Sequence, residues 1–445
     1  PFVLSIHYSQ FTTSQITVHY FTIHYFTNHH SQITDHRSQT TMRTLYTIGI
    51  YCYTFGVRIA ALFNVKARQM VSGWRETFNK LPAAPADGER RAWFHASSLG
   101  EFEQARPVLE KFRHEHPDYK ICVTFFSPSG YEVRKNYHEA DYICYLPMDT
   151  RRNAKRFIDR MQPSVAFFVK YDFWFNYLEQ LRLRKVPTYI FSAIFRPSQY
   201  FFKPYGKWFR KQLATCYTHL FVQNEESLEL LRSNGISHVS IAGDTRFDRV
   251  HAIAQDARRF EEIEQFLSKH PGNKVLLAGS SWEPDEALIK QYLDHKGEKL
   301  TLMLAPHVIS PSHLAAIESL FGKENCTRYS QLKDDNGECR ILIIDNIGML
   351  SSLYRYADVA YIGGGFGRGI HNTLEAITFG KPVVFGPNYL KFKEACDIIA
   401  LKGGFAHSSY SQLAEHLDSL LDNPDIYRKA SETCTQYLND NLGSS

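Results

Sequence analysis

Across 445 residues, 44% are hydrophobic and 22% are charged, a balance that excludes a disordered tail or a fibrous repeat. Lys and Arg number 51 against 46 acids, a net charge of +5, too slight an excess to argue for nucleic acid. The length exceeds the roughly 250 to 300 residues at which one core stops growing, so two domains are expected.

Residues 1–41 consist almost wholly of Ser, Thr, Gln, His, Tyr, Phe and Ile, with near-repeats such as His19-Tyr20-Phe21-Thr22 and His24-Tyr25-Phe26-Thr27. This is low-complexity sequence, read either as lying ahead of the true start or as a His-rich metal segment. No paired carboxylates or thiols support the histidines as ligands, and Met42, the first methionine, is the expected start. The segment 42–80 is next. Leu45–Phe63 is apolar and aromatic, broken only by Arg58 and followed by Lys66, Arg68 and Arg75. A spanning helix needs about 20 apolar residues, and Arg58 argues against a deep position. The expectation is a helix held at or in the inner leaflet, the alternative a plain buried helix.

Beyond the polar stretch Leu81–Arg90, short apolar runs alternate with amphipathic segments. Strands are predicted at Ala92–His95, Lys120–Phe126, Tyr142–Tyr145, Val165–Val169, Thr188–Phe191 and His219–Val222. A second series is predicted at His238–Ala242, Lys274–Ala278, Leu300–Leu304, Arg340–Ile344, Val359–Ile362 and Pro382–Phe385. Such alternation means parallel α/β sheets covered by helices. The break near Asn234–Gly235 predicts two Rossmann-like domains, 81–234 and 235–445, with ligands at the carboxyl ends of the strands and the site in a cleft between them. The eight cysteines are scattered without a CxxC pair, which excludes a disulfide scaffold or a zinc site and fits reduced cytosolic thiols.

Four loops carry candidate chemistry. Ala96-Ser97-Ser98-Leu99-Gly100-Glu101 leaves the first strand. Glu101 is expected to begin a helix, where its ionised carboxylate suits a general base or simply favours the helix terminus. Ser127-Pro128-Ser129-Gly130 follows the next strand and offers hydroxyl donors. In the second half, Gly279-Ser280-Ser281 precedes Pro284, its hydroxyls read equally as phosphate contacts or helix caps. Gly363-Gly364-Gly365-Phe366-Gly367-Arg368-Gly369 leads to His371, Asn372 and Glu375. Either this loop makes a tight turn, or its glycines and the helix expected near Asn372 cradle a phosphate, with Arg368 adding charge and Glu375 reaching a ribose. A fifth segment, Arg196 to Lys211, mixes five cations with six aromatics. Stacking on single-stranded nucleic acid, contact with an anionic lipid surface and a solvated helix face all fit it. The apolar segment upstream favours the membrane.

In this order the motifs resemble those of the 3-deoxy-D-manno-oct-2-ulosonic acid (Kdo) transferases of lipopolysaccharide synthesis. His95-Ala96-Ser97 through Gly100-Glu101 resembles the family's HA-S-x-GE, Ser127–Gly130 its TPTG, Phe173-Trp174-Phe175-Asn176 its LWPN, and Gly243–Asp248 its GNLKFD. Ala278–Ser281 resembles AGST, and Gly369–Glu375 with Phe379-Gly380-Lys381-Pro382 and Phe385-Gly386-Pro387 is similar to GGHNPLEPAAFGKP…FGP. The resemblance implies a GT-B glycosyltransferase that moves Kdo from CMP-Kdo to the lipid A precursor at the cytoplasmic face of the inner membrane, without metal or cofactor and without nucleic acid as a partner. Glu101 then matches the general base. Ser280, Ser281, Gly364, Gly365, Arg368, His371, Asn372 and Glu375 fall on the donor side, and Ser98, Gly100, Ser129 and Arg196 on the acceptor side. Two departures stand out: Lys170-Tyr171-Asp172 replaces an acidic Glu-Thr-Glu, and Ala305-Pro306-His307 lacks the arginine of a PRH-like segment.

Overall fold

A computed structural model describes residues 41–81, 84–334 and 339–445; the low-complexity reading of residues 1–40 lies outside them. Two compact units result, one of residues up to Phe102 with Phe112–Ile241, the other of Glu103–Lys111 with Ala242–Ser445.

In chain order the first series runs α1 (41–60), α2 (Val65–Lys80), β1 (Arg90–Ala96), α3 (Leu99–Glu115), β2 (Tyr119–Phe125), α4 (Pro128–Arg134), β3 (Tyr142–Tyr145) and α5 (Arg151–Met161). It continues through β4 (Val165–Val169), α6 (Phe175–Leu183), β5 (Thr188–Ala193), α7 (Lys207–Cys216), β6 (His219–Val222), α8 (Glu225–Ser233) and β7 (Val239–Ile241). Its seven strands are parallel in the order β3-β2-β1-β4-β5-β6-β7. The strand expected at His238–Ala242 therefore forms, but at the edge of this sheet beside β6 and not in the second series. Its register, Leu220 with Val239 and Val222 with Ile241, explains why: α8 and a five-residue turn return the chain to the sheet it left.

The second series comprises α9 (Arg246–Gln255), α10 (Glu261–Ser268), β8 (Lys274–Ser281), α11 (Glu283–Lys296), β9 (Leu300–Pro306), α12 (Pro311–Phe321), β10 (Cys326–Arg328), β11 (Ile341–Ile343) and α13 (Leu350–Leu353). It ends with β12 (Val359–Ile362), α14 (Leu374–Ile377), β13 (Val383–Phe385), α15 (Lys393–Ala400), β14 (Gly404–Ala406), α16 (Tyr410–Asp422) and α17 (Pro424–Asp440). The parallel order is β10-β11-β9-β8-β12-β13-β14. The period of two is visible in its burial. Leu276, Leu302 and Ile343 fill one face, and Leu277, Met303 and Leu342 the other, as a sheet covered on both sides requires.

Strand order reverses between β1 and β4 in the first sheet, and between β8 and β12 in the second. In open parallel sheets such reversal points, at the carboxyl ends, are where ligands bind. Glu101 follows β1, Ser280 and Ser281 end β8, and the glycine-rich loop follows β12. The expected sites thus sit where topology puts them.

Among the described residues, no helix is long and apolar enough to cross a membrane. Tyr46 holds α1 to the first unit: its ring packs 5.2 Å from Phe175 and 6.0 Å from Trp208, and its hydroxyl donates to Asp149 at 2.6 Å. Leu45, Ile48, Phe55, Ile59 and Leu62 remain exposed, as does Phe63 at 87%.

Candidate functional sites at the carboxyl ends of two parallel sheets

In the first unit the site is built by the turn from β1 into α3. Ser98 is extended and caps the helix, its hydroxyl accepting from the Glu101 N–H at 3.4 Å and donating to Glu101 Oε2 at 2.9 Å. This is a side-chain N-cap in which the same hydroxyl also donates to the Glu101 carboxylate. It corrects one expectation: the helix starts at Leu99, and Glu101 is its third residue, not its first. The carboxylate is half-buried and held by a hydroxyl beside the helix N-terminus, where the dipole favours its charge. A Cβ on Gly100 would meet nothing within 4 Å, so no protein neighbour demands glycine there.

The loop after β2 is tied to this turn. Ser127 N–H donates to the Ser97 carbonyl at 2.8 Å. Ser127 caps α4, and Ser129 is exposed, its hydroxyl 2.9 Å from that of Ser127. A Cβ on Gly130 would lie 2.3 Å from the Phe125 ring and 3.2 Å from Leu99 N. The starts of α3 and α4 therefore pack together, which places Ser129 near Ser98 and Glu101.

The residue that motif spacing left aside is Asp172, seen only as a departure. It is 4% exposed and follows β4, the strand beside β1 at the reversal. Ser97 N–H donates to its Oδ2 at 3.1 Å, and Ser97 Oγ donates to its Oδ1. His95 Nε2 lies 3.8 Å from Oδ2, while Nδ1 sits 2.8 Å from Thr124 Oγ1 and 3.1 Å from its carbonyl. Burial pushes the His95 imidazole down to about 3, against the carbonyl bond to Thr124, so it is neutral near pH 7. Burial first, and then the charge of Glu101, push the Asp172 carboxyl well up. Arg196 is exposed and reaches this end of the sheet by donating to the Tyr171 hydroxyl at 3.3 Å. Asn176 of the LWPN-like run is buried, donating to the Asp149 carbonyl at 2.6 Å, and is a scaffold contact.

In the second unit, the glycines are explained first by packing. A Cβ on Gly363 would stand 2.2 Å from the Ser280 carbonyl oxygen, and one on Gly365 2.5 Å from Gly386 Cα. Three loops are thus in backbone contact. Gly364, at φ +91°, donates its N–H to Asp285 Oδ2 at 2.9 Å, so that amide is already engaged. Asp285 also accepts from Trp282 N–H and from the Tyr361 hydroxyl, both at 3.0 Å. Ser281 is buried and donates to Glu286 Oε1 at 2.9 Å, anchoring α11, whereas Ser280 is half-buried at φ +55° beside a register shift in β8. The helix expected near Asn372 is only Leu374–Ile377, and Asn372 Oδ1 accepts its first N–H at 3.1 Å. Asn372 also donates to Glu375 Oε1 at 3.0 Å, and burial pushes that carboxyl up.

No local spacing announces the rings above this loop. Trp282, His307 and His371 stack in series at 4.7 and 4.5 Å, and Trp282 Nε1 donates to His371 Nε2 at 3.2 Å. His307 takes its place because its N–H bonds the Ser281 carbonyl at 2.9 Å. Burial, then His307, hold the His371 imidazole below its ordinary value. The ladder leaves an aromatic wall at the carboxyl ends of β8, β9 and β12, with Arg368 on the exposed loop tip.

Residues 72–249 match the model of the 3-deoxy-D-manno-octulosonic-acid transferase (kdotransferase) family. A 3-deoxy-D-manno-octulosonic acid transferase from Haemophilus influenzae is 24% identical over 417 residues, covering 90% of this chain and 96% of its own. The Aquifex aeolicus enzyme of the same name is 25% identical over 333 residues, 74% of this chain and 85% of its own. In fold, the chain is similar to the Neisseria meningitidis UDP-GlcNAc 2-epimerase (TM-score 0.55, 15% identity, 79% of this chain and 99% of that one). A putative UDP-N-acetylglucosamine 2-epimerase from Listeria monocytogenes gives the same TM-score at 13% identity, over 79% and 94% of the two chains. The two parallel seven-stranded sheets are of GT-B type, and in its family match and its relatives this chain is similar to the Kdo transferases.

Proposed function

We propose that this chain transfers Kdo from CMP-Kdo to the lipid A precursor lipid IVA, with inversion at the anomeric carbon, at the cytoplasmic face of the inner membrane. The observation that carries the reading is Glu101. It stands at the carboxyl end of β1, at the reversal of strand order, with a hydroxyl and a helix N-terminus holding its charge. In this role Glu101 removes the proton from an acceptor hydroxyl as that oxygen bonds to the anomeric carbon of Kdo. The bond to the CMP phosphate breaks on the opposite face, and the proton stays on Glu101 until solvent takes it. The donor belongs to the second unit, where the ring ladder supplies a flat surface for a base and Arg368 a charge for the phosphate. Ser98, Ser129 and Arg196, beside Glu101 or Asp172, offer donors to the acceptor's phosphates and hydroxyls.

The membrane reading rests on the exposed apolar residues of α1 and the turn after it, with Arg58, Lys66 and Arg68 exposed among them. Amphipathic segments of this kind lie in the interface. The Arg196–Lys211 segment adds exposed Tyr200 and Tyr205 close to the α7 face on which Tyr46 packs.

The test incubates detergent-solubilised protein with CMP-Kdo and a tetra-acylated lipid A precursor and weighs the lipid. A gain of one or more Kdo masses supports the reading, and NMR of the product anomer decides inversion. Folded protein that leaves CMP-Kdo intact overturns it. Removing a general base costs on the order of a hundredfold to ten-thousandfold, so Glu101→Gln is expected to collapse turnover while CMP-Kdo binding persists.

A further inference from the structure

We propose that Asp172 is a positioning residue for Glu101, carried as an uncharged carboxylic acid whose bonds to Ser97 fix the turn that aims the base. This rests on the reading of Glu101 given above. Asp172 lies one strand away from the chain segment it organises. Both its oxygens accept from one residue, the N–H and the hydroxyl of Ser97. Ser97 is followed directly by Ser98, whose hydroxyl holds the Glu101 carboxylate at 2.9 Å. The clamp thus fixes the residue directly before the helix cap. A misplacement of 1 Å at a reacting group is enough to cost about a hundredfold in rate.

The protonation state follows from what surrounds the carboxyl. From β1 it meets His95 at 3.8 Å, an imidazole that burial keeps neutral and whose Nε2 is buried without a hydrogen-bond partner. From α3 it feels the carboxylate of Glu101. Beyond α7, the Tyr217 hydroxyl donates to its main-chain carbonyl at 3.2 Å. On its own segment are Trp174, whose indole together with the two Ser97 bonds pulls the carboxyl back down against burial and Glu101, and Lys170, whose ammonium lies 5.7 Å from the centre of the Tyr171 ring. Arg196 is directed at the Tyr171 hydroxyl. Two negative charges at this buried end would oppose each other, and the half-exposed Glu101 at a helix N-terminus is the better place for the one that remains. A carboxylic acid still accepts at both oxygens and has one proton to donate, and Oδ2 lies 3.8 Å from the bare Nε2 of His95. Kept neutral, Asp172 organises the turn without opposing the charge of the base.

Asparagine imitates the uncharged acid, accepting from the Ser97 N–H while its amide donates to the Ser97 hydroxyl, and alanine does not. With full-length protein, CMP-Kdo and a tetra-acylated lipid A precursor, Asp172→Ala is expected to lower kcat roughly a hundredfold with little change in KM for CMP-Kdo. Asp172→Asn is expected to recover most of that loss. The acid limb of its pH–rate profile should coincide with that of the wild type, because no charge has been removed from beside Glu101. Ser97→Ala, which keeps the N–H bond and loses one hydroxyl, should fall between the two and guards against misfolding of the alanine variant. A lowered acid limb in Asp172→Asn would mean a charged Asp172 and overturn the proposal. Equal loss in the asparagine and alanine variants, or no loss in either, would also overturn it. Glu101→Gln is run alongside. If it stays active, the base assignment fails; if it is inactive while all three clamp variants match the wild type, the clamp alone fails.

Discussion

The two sheets end in the same topology and are built from different materials. At the reversal point of the first, a carboxyl is buried with one neighbouring residue as its donor and another carboxylate close by. At that of the second, Asp285 collects three donors, from Trp282, Tyr361 and Gly364, and the remaining space is filled by backbone contact and stacked rings. Burial pushes both carboxyls up and their hydrogen-bond donors pull both back, but only at Asp172 does a second carboxylate, that of Glu101, add to the push. One end is arranged to hold a proton in place, the other to hold a shape. On the proposed reading, proton removal belongs with the first and recognition of a flat, anionic ligand with the second.

The sharpest way to break that contrast is to disturb the shape. Gly363→Ala would set a Cβ 2.2 Å from the Ser280 carbonyl and 2.6 Å from Ser281 Cα. Both are backbone atoms within the sheet, so the cost of relaxing the overlap is expected to reach about 3 kcal/mol. Urea unfolding reads it. A variant as stable as the parent would show that the loops are not held by close contact.

Acid titration tests a feature the two units share. Burial pushes His95 down to about 3 and His407, bonded to Tyr361 at 3.2 Å, down to about 4. Unfolded histidines bind a proton near pH 6.5. Between that value and the folded one, the unfolded chain holds the extra proton, so each group's contribution is present above pH 6.5 and is lost as pH falls. The slope is at most about 1.4 kcal/mol per pH unit for each histidine. Asp149, raised to about 6 by burial, acts in the opposite sense as pH rises from 4 to 6, so a variant must be compared with the wild type. The stability difference between the wild type and His407→Gln should shift by that slope between pH 6.5 and 4; a constant difference refutes a neutral buried His407.

What was legible in the sequence follows the same division. Central strands such as Val165–Val169 and Val359–Ile362 are short apolar runs bounded by turn residues, and the chain spells them out. Strands β10 (Cys326–Arg328) and β14 (Gly404–Ala406) stand outside the predicted series because Cys-Thr-Arg and Gly-Phe-Ala hold no apolar run. β7 was given to the wrong series because a strand's partner is not encoded in its own residues. Ser98-x-x-Glu101 has the spacing of a helix N-terminus with Ser98 as its cap, which places the helix start at Leu99. Asp172, His95 and Ser97 could not be joined by spacing, since the clamp exists only once β1 and β4 pair. The ladder of Trp282, His307 and His371 has the same origin, drawing one ring from the end of each of three strands.

The smallest expected effect bears on Gly100. It lies in the first turn of α3, where an added methyl would meet nothing within 4 Å and no positive φ is required. Replacing a helical glycine by alanine stabilises by roughly 0.5–1 kcal/mol, so on folding grounds alone Gly100→Ala should be an improvement. A glycine that stability would replace, set one residue before the proposed base, is explained if the acceptor sugar must approach the backbone there. The prediction is a higher urea midpoint together with a raised KM for the lipid acceptor and little change in KM for CMP-Kdo. Higher stability with unaltered kinetics would remove Gly100 from the acceptor surface and leave Ser98, Ser129 and Arg196 to define it. Lower stability would show that the turn is already at its packing limit, as the loop at Gly363 is, and the contrast between the two sheet ends would shrink accordingly.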